Sequence, residues 1–139
     1  MPQAFHDNQT ILASPHDVWA TLTDWTTASE WMPGVSDMRA AGDTAVGTEL
    51  TFSARGKARS STVTALEPGR LITMSSTMSG VLADYTYTLE PAGDATTVSL
   101  VADVETRGPM KLIGKVIRSA IAKEDGVQLA RLKALIESR

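Results

Sequence analysis

The sequence predicts an α+β domain in which an antiparallel sheet is covered by a long C-terminal helix. Ser14-Pro15-His16-Asp17 has the residue types of a helix N-terminus. Between residues 35 and 106, six short segments alternate apolar and polar side chains, which is typical of strands with one buried face. Residues 110–139 contain no proline and carry apolar residues at helical spacing. The predicted order of elements is therefore β-α-α-β-β-β-β-β-β-α.

Composition limits the classes of function. The 139 residues fit one domain, residues 1–139, and 42 % apolar with 21 % charged residues is typical of a globular protein. The net charge of −3 gives no general reason to expect nucleic acid or an anionic membrane as a partner. No cysteine and only two histidines are present, so thiol chemistry is excluded and a histidine-rich metal cluster is not expected. No glycine-rich phosphate loop or metal-ligand spacing is present, and we expect no cofactor. No signal peptide or membrane span is recognisable, and the expected location is the cytoplasm.

The N-terminal elements follow from local signals. Residues 5–13 predict a first strand. Ser14 is positioned to cap a helix, and Asp17 stands three residues after it, as in a capping box. This helix is predicted to end near Trp25, and a second short helical piece is predicted over residues 28–32, before a Pro-Gly pair that stops it.

The alternating segments predict an antiparallel meander. Because each strand of a meander reverses direction, its turns fall alternately at two ends of the sheet. The turns at residues 55–57, 78–80 and 106–109 then share one end, which is rich in basic residues. The strands are predicted at residues 35–40, 48–54, 58–66, 70–77, 81–90 and 96–106.

The final segment, residues 108–139, predicts a helix of about 30 residues, roughly 45 Å long. Its apolar stripe is expected to face the sheet, and its basic residues lie largely off that stripe. Gly126 permits a kink or a close approach to the sheet. The stripe consists of Ile113, Val116, Ile117, Ala120, Val127, Leu132 and Leu135.

Several phrases of the chain resemble START-like (SRPBCC) domains. These are Ser14-Pro15-His16-Asp17-Val18-Trp19, Trp31-Met32-Pro33-Gly34-Val35, Tyr87-Thr88-Leu89-Glu90-Pro91 and Leu129-Ala130-Arg131-Leu132-Lys133. The resemblance covers nearly the whole chain and is to the bacterial polyketide cyclase/dehydrase-type branch. It implies a helix-grip fold, a curved seven-stranded antiparallel sheet around the C-terminal helix with a hydrophobic cavity between them. Members bind lipids, hormones, polyketides or quinones, and a minority catalyse reactions.

The resemblance and the strand pattern together give candidate cavity residues. The tyrosine hydroxyls would orient a ligand, whereas the tryptophans would either close the mouth of the cavity or fix a helix to the core. A basic rim would suit an amphipathic ligand with a carboxylate or phosphate head, although basic residues at hairpin ends also serve solubility. The predicted ligand-binding residues are Trp25, Trp31, Met32, Phe52, Met74, Tyr85, Tyr87, Met110, Ile113 and Ile117, with Arg55, Lys57 and Arg107 on the rim.

Three functions remain open from sequence. The preferred one is binding of a small hydrophobic or amphipathic molecule in the cavity. The second is a polyketide cyclase/dehydratase-like enzyme, with Glu124 or Tyr87 moving the proton and Gln128 as the polar neighbour of Glu124. In the simpler interpretation, Glu124 reaches solvent or pairs with a basic residue of a strand. The third function is a protein-interaction module with a collapsed cavity.

Overall fold

Seven antiparallel strands form one sheet in the computed structural model, which describes residues 2–139. The strand order is β1-β7-β6-β5-β4-β3-β2, so six strands follow one another as a meander and the first strand closes against the last. This arrangement confirms the predicted fold class. The strands are β1 (Gln3–Ile11), β2 (Val35–Ala40), β3 (Glu49–Ala54), β4 (Lys57–Glu67), β5 (Leu71–Met78), β6 (Val81–Ala92) and β7 (Ala95–Thr106).

The hairpin turns show why these strands pair as neighbours. Arg55 and Gly56 both have positive φ, at 53° and 79°, and Ser79 and Gly80 repeat the pattern at 45° and 82°. Two successive residues of this kind give the tight turns that match the twist of a hairpin. Both turns lie at the same end of the sheet, as predicted from the alternation of a meander.

The first helix, α1 (Pro15–Leu22), begins as its sequence predicts. The Ser14 hydroxyl accepts a hydrogen bond from the Asp17 amide at 3.2 Å. The helix ends three residues before the predicted Trp25, because Asp24 caps a new 3-10 helix, Trp25–Glu30, and accepts from the Thr26 amide at 3.2 Å. The predicted pair of short helices is therefore present with a shifted boundary.

The C-terminal helical region covers 30 residues, as predicted, but it is not one continuous rod. It consists of a 3-10 helix (Gly108–Ile113), α2 (Gly114–Asp125) and α3 (Gln128–Glu137), with an interruption at residues 126–127. A Cβ at Gly126 would lie 2.4 Å from the Ala122 carbonyl oxygen, so glycine is required in this geometry. The helical region is therefore interrupted at Gly126, where the sequence permits a kink.

The predicted apolar stripe is buried in only one half of this region. In α3, Leu132 is fully buried, as expected, but Val127 at the interruption before it is 44 % exposed. In the first half the prediction was wrong, because Val116 is 67 % exposed and Ile113 is 45 % exposed. There the helix directs Ile121 and Asp125 towards the sheet instead, and both line the space beneath it.

Candidate functional site

A cleft of about 810 Å³ lies between the concave face of the sheet and α2. Its walls come from the inward-facing residues of β2 to β6 and from the junction between α2 and α3. Several of its wall residues are methionines, whose flexible side chains adapt to irregular spaces. The apolar part of the wall includes Met32, Met38, Phe52, Met74, Val81, Ala83 and Ile121.

The cleft exists because small residues occupy inward positions of the sheet. Ala83 on β6, Ser61 on β4 and Ser76 on β5 all line it. At the closed end of the same sheet the inward positions are bulky and fully buried, as at Leu100 and Ile72. Side-chain volume therefore falls along the strands from the closed end to the open end, which leaves space that no side chain fills.

Two tyrosines on β6 provide the polar part of the wall. Residues two apart on a strand share a face, so Tyr85 and Tyr87 both point into the cleft. The Tyr85 hydroxyl donates to Asp125 Oδ2 at 2.5 Å, and the Tyr87 hydroxyl donates to Gln128 Oε1 at 2.5 Å. Asp125 ends α2 and Gln128 begins α3, so the helix interruption presents both acceptors to the sheet.

The ionisation of this cluster is controlled by burial. Burial raises the pKa of Asp125, and the Glu124 carboxylate adds to this, while the hydrogen bond from Tyr85 and the charge of Arg55 act in the opposite direction. Burial also raises the pKa of Tyr85 and of Tyr87, with the Asp125 carboxylate as a further cause. The tyrosines therefore stay protonated and keep donating to their partners.

An ion pair crosses the mouth of the cleft. The Arg55 guanidinium at the β3–β4 turn contacts the Glu124 carboxylate on α2. The Arg55 side chain is 69 % exposed and that of Glu124 is 32 % exposed, so water screens the pair. Glu124 therefore pairs with a basic residue beside a strand end, as the simpler interpretation of its sequence position expected, and its catalytic role stays a prediction.

Comparison with known families decides the classification. Residues 2–137 match the family model described as "Polyketide cyclase / dehydrase and lipid transport". The chain belongs to this family. Among curated proteins, none matches the sequence.

Solved structures share the helix-grip fold of this family member at low sequence identity. Zhui aromatase/cyclase from Streptomyces sp. R1128 is similar with a TM-score of 0.77 and 14 % identity, over 97 % of this chain and 93 % of that one. The protein TTHA0849 from Thermus thermophilus gives a TM-score of 0.74 and 16 % identity, over 99 % and 98 %. The di-domain ARO/CYC BexL from the BE-7585A biosynthetic pathway gives 0.76 and 19 %, over 97 % of this chain and 50 % of BexL.

Seven of the residues predicted to bind a ligand or to form the rim line the cleft of this family member, and so do the catalytic candidate Glu124 and its polar neighbour Gln128. The seven come from the loop before β2, from β3 to β6 and from the β3–β4 turn, and the space between them is open. Whether they contact a ligand remains a prediction. The seven are Met32, Phe52, Met74, Tyr85, Tyr87, Arg55 and Lys57.

The two tryptophans predicted for the cavity are core residues instead. Trp31 is fully buried and packs edge-to-face on Tyr87 at 5.8 Å between ring centroids. Trp25 is buried and donates its indole N–H to the Thr44 hydroxyl at 3.0 Å. The interpretation in which they fix a helix to the core is the one found.

The other residues outside the lining lie on or before α2. A Cβ at Gly80 would come within 3.1 Å of Met110 Cγ, so Met110 packs against a hairpin turn. Ile113 is exposed and Ile117 is half-buried, since this part of the helix turns its stripe away from the sheet. Arg107 pairs with Glu105 at 3.1 Å, so it faces its own strand end and not the rim.

Sequence reasoning did not select Asp125, the acidic residue closest to the tyrosines. A signal was available, because Asp125 directly precedes Gly126, the residue at which the sequence permits a kink. Within residues 2–139, no group of three or more potential ligands is arranged to hold a metal ion. Within the same residues, no helix is long and apolar enough to cross a membrane.

Proposed function

We propose that this protein binds one small hydrophobic or amphipathic molecule in the cleft, as a carrier, sensor or transport protein of the cytoplasm. The observation that carries the proposal is the 810 Å³ cleft with apolar walls and one polar cluster. Pockets for small molecules range from about 300 to 1,000 Å³ and combine these same features. Burial of the ligand's apolar surface would contribute about 25 cal/mol per Å².

The polar cluster favours a particular orientation of the ligand. The two tyrosine hydroxyls use their hydrogens on Asp125 and Gln128, so towards a ligand their oxygens are acceptors. A ligand hydroxyl or phenol fits next to these acceptors, whereas a ligand carboxylate would be repelled by Asp125 when that residue is ionised. A carboxylate or phosphate head is better placed at the rim, beside Lys57 and Arg59.

Native mass spectrometry of the purified protein tests the proposal directly. We expect a retained small molecule, or a shift in thermal unfolding of several degrees when hydroxylated aromatic compounds or fatty acids are added far above their dissociation constants. Ala83→Leu fills the cleft and should abolish both signals, because Ala83 lines it. Ala92→Leu, at the exposed end of the same strand, is the matched control and should leave both unchanged.

The rim can be tested with the charge of the ligand. Within the part of the chain that the structure describes, Lys57 forms no ion pair, whereas Arg55 is paired with Glu124. We expect Lys57→Ala to weaken anionic ligands and to leave neutral ones unaffected. Equal losses for both kinds of ligand would contradict a role of the rim in recognising charge.

One observation favours the enzyme as a second candidate. Asp125 is a carboxyl group with a raised pKa, in the wall of a cleft and hydrogen-bonded to Tyr85, which is the setting of a general acid or base. The reaction would be a cyclisation or dehydration of a polyketide-like substrate. Turnover that disappears in Asp125→Asn, but survives in Glu124→Gln, would support this function. The collapsed-cavity module has no such support, since the cleft is open.

A further inference from the structure

One face of the segment from the end of β7 through α2 is exposed although it is apolar. Leu112 is 91 % exposed, Val116 is 67 % exposed and Ile113 is 45 % exposed. Most large apolar residues of the chain are buried, so three neighbouring exceptions on one helical segment form a patch that requires an explanation. We name Leu112, Ile113 and Val116, with the lysines described next, the docking face.

The charges around this patch have one sign. Residues 107–123 contain five of the chain's 13 basic residues and none of its 16 acidic residues, although the whole chain has a net charge of −3. Lys111, Lys115 and Lys123 are exposed, and within residues 2–139 none of them forms an ion pair. The docking face therefore combines apolar side chains with unneutralised positive charge.

From this combination, we infer that the docking face binds the surface of an anionic phospholipid membrane. A helix with apolar and lysine-rich faces lies in the plane of the membrane interface, with its apolar side chains among the lipids and its lysines at the phosphate groups. Binding of this kind is peripheral and requires no membrane-spanning segment. It also does not depend on which molecule, if any, occupies the cleft.

A second copy of this chain is a poorer occupant of the same face. In a two-fold dimer the same surface of both subunits meets, so Lys111 and Lys115 would approach the lysines of the other copy. Like charges brought together in this way are repelled. An anionic partner gains from the same lysines, and an extended lipid surface accepts three apolar side chains without a complementary pocket.

The position of the docking face gives the binding a consequence. The 3-10 helix that carries Leu112 is joined to the β5–β6 turn, where the Arg107 amide donates to the Gly80 carbonyl at 2.8 Å. Met78, immediately before this turn, is 47 % exposed and also lines the cleft. A membrane bound at the docking face would therefore lie beside the mouth of the cleft.

Cosedimentation with vesicles tests the inference. We expect the protein to bind vesicles of phosphatidylcholine mixed with phosphatidylserine, to bind pure phosphatidylcholine much less, and to dissociate as salt is added. Lys111→Gln with Lys115→Gln should weaken binding to the anionic vesicles about 25-fold, at about fivefold per lysine. Leu112→Ser with Val116→Ser should weaken binding at least tenfold.

Matched controls distinguish an effect of the docking face from a general effect of removing exposed apolar or charged side chains. Leu12 and Val46 are 74 % and 63 % exposed at the opposite end of the sheet, so Leu12→Ser with Val46→Ser should bind like the unchanged protein. Arg70→Gln with Arg131→Gln, both away from the docking face, is the control for lost charge. Thermal unfolding of each variant establishes that it is folded.

Three results would overturn the inference. The first is that the unchanged protein fails to sediment with anionic vesicles. The second is that the control variants lose as much binding as the docking-face variants. The third is a dimer, measured by light scattering, that Leu112→Ser with Val116→Ser dissociates, which would show that a second copy covers the face. Loss of ligand binding in the cleft with vesicle binding intact would contradict the proposed function but not this inference.

Discussion

The two α-helices of the C-terminal region share an apolar repeat in sequence but differ in burial. Leu129 and Leu132 of α3 are fully buried, whereas Val116 of α2 is 67 % exposed. The difference shows that an apolar repeat in the sequence predicts an amphipathic helix but does not reveal what packs against its apolar face. In this fold, α3 is packed on the sheet and on α1, whereas α2 contacts β1 and β7 but lies over a cleft.

The sheet beneath the two helices explains the contrast. Beneath α3, the inward positions of the sheet are bulky, and α3 packs there against β1, β7, α1 and the 3-10 helix Trp25–Glu30, whereas α2 contacts mainly β1 and β7 of these elements. Beneath α2, the small residues of the cleft leave few apolar partners. Two polar contacts cross this space, Tyr85 with Asp125 and Arg55 with Glu124. We therefore expect α3 to contribute most of the stability and α2 to open more easily.

Truncation of one apolar residue in each helix tests this contrast most strongly. Leu132→Ala removes a fully buried side chain and should lower the free energy of unfolding by about 2–5 kcal/mol. Val116→Ala removes methyl groups that are already mostly in water and should change it by less than about 0.5 kcal/mol. Urea unfolding of both variants measures the difference, and equal losses would contradict the proposed division between the helices.

Removal of a tyrosine hydroxyl should have the next largest effect. Tyr87→Phe leaves the buried Gln128 carbonyl oxygen without its donor, at a cost of about 1–3 kcal/mol. Tyr85→Phe should cost less, since Asp125 is only half-buried and water in the cleft can replace the lost donor. A larger loss in Tyr85→Phe than in Tyr87→Phe would place the more important contact at the end of α2 and not at the start of α3.

The pH dependence of stability tests Asp125 itself. Its pKa is raised above 3.8 in the folded protein, so the unfolded chain loses this proton more easily. The contribution of Asp125 to stability is therefore fully present below pH 3.8 and is lost as pH rises through the folded pKa. Asparagine cannot ionise, so Asp125→Asn should not lose this contribution. As pH rises through the folded pKa of Asp125, the variant should therefore become more stable relative to the unchanged protein.

Urea unfolding from below pH 3.8 to neutral pH measures this gain. Asp94→Asn is a suitable control because Asp94 is exposed in the turn between β6 and β7. A gain of the same size and pH dependence in this control would show that loss of any carboxylate is sufficient, and that the burial of Asp125 is not the cause.

Local signals were sufficient to predict most of the fold. The Ser14 cap, the strand alternation and the turn glycines each act over a few residues, and the structure places strands at all seven predicted positions. The sequence resemblance added the curvature of the sheet around the C-terminal helix. The first-helix boundary was missed because Asp24 caps the next helical turn, which competes with continuation to Trp25.

The site was less predictable because it depends on unfilled volume. Period-two alternation identified Tyr85 and Tyr87 as inward-facing, and it did so correctly. It could not show that Ala83 and its small neighbours would remain uncovered, since that depends on how far α2 stands from the sheet. The same uncertainty shifted the predicted inward face of this helical region, so that Asp125 was overlooked and Ile113 was assigned to the cavity.

Removal of the ion pair at the mouth of the cleft should have the smallest effect on global stability. Its effect should be confined to the helix that carries Glu124. Arg55 and Glu124 are both partly exposed, so Arg55→Ala should change the free energy of unfolding by at most about 1 kcal/mol. Because the pair is one of the few contacts that hold α2 across the cleft, its loss should still let that helix open more often. Hydrogen exchange should therefore accelerate at the amides of α2 and stay unchanged at those of α3.

Arg70→Ala removes a comparable exposed pair, with Glu67, at the opposite end of the sheet and should alter neither helix. Equal acceleration in α2 and α3 after Arg55→Ala would mean that the two helices open as one unit. In that case the interruption at Gly126 would separate them in geometry but not in stability, and the contrast between a packed helix and a helix over a cleft would fail at the level of dynamics.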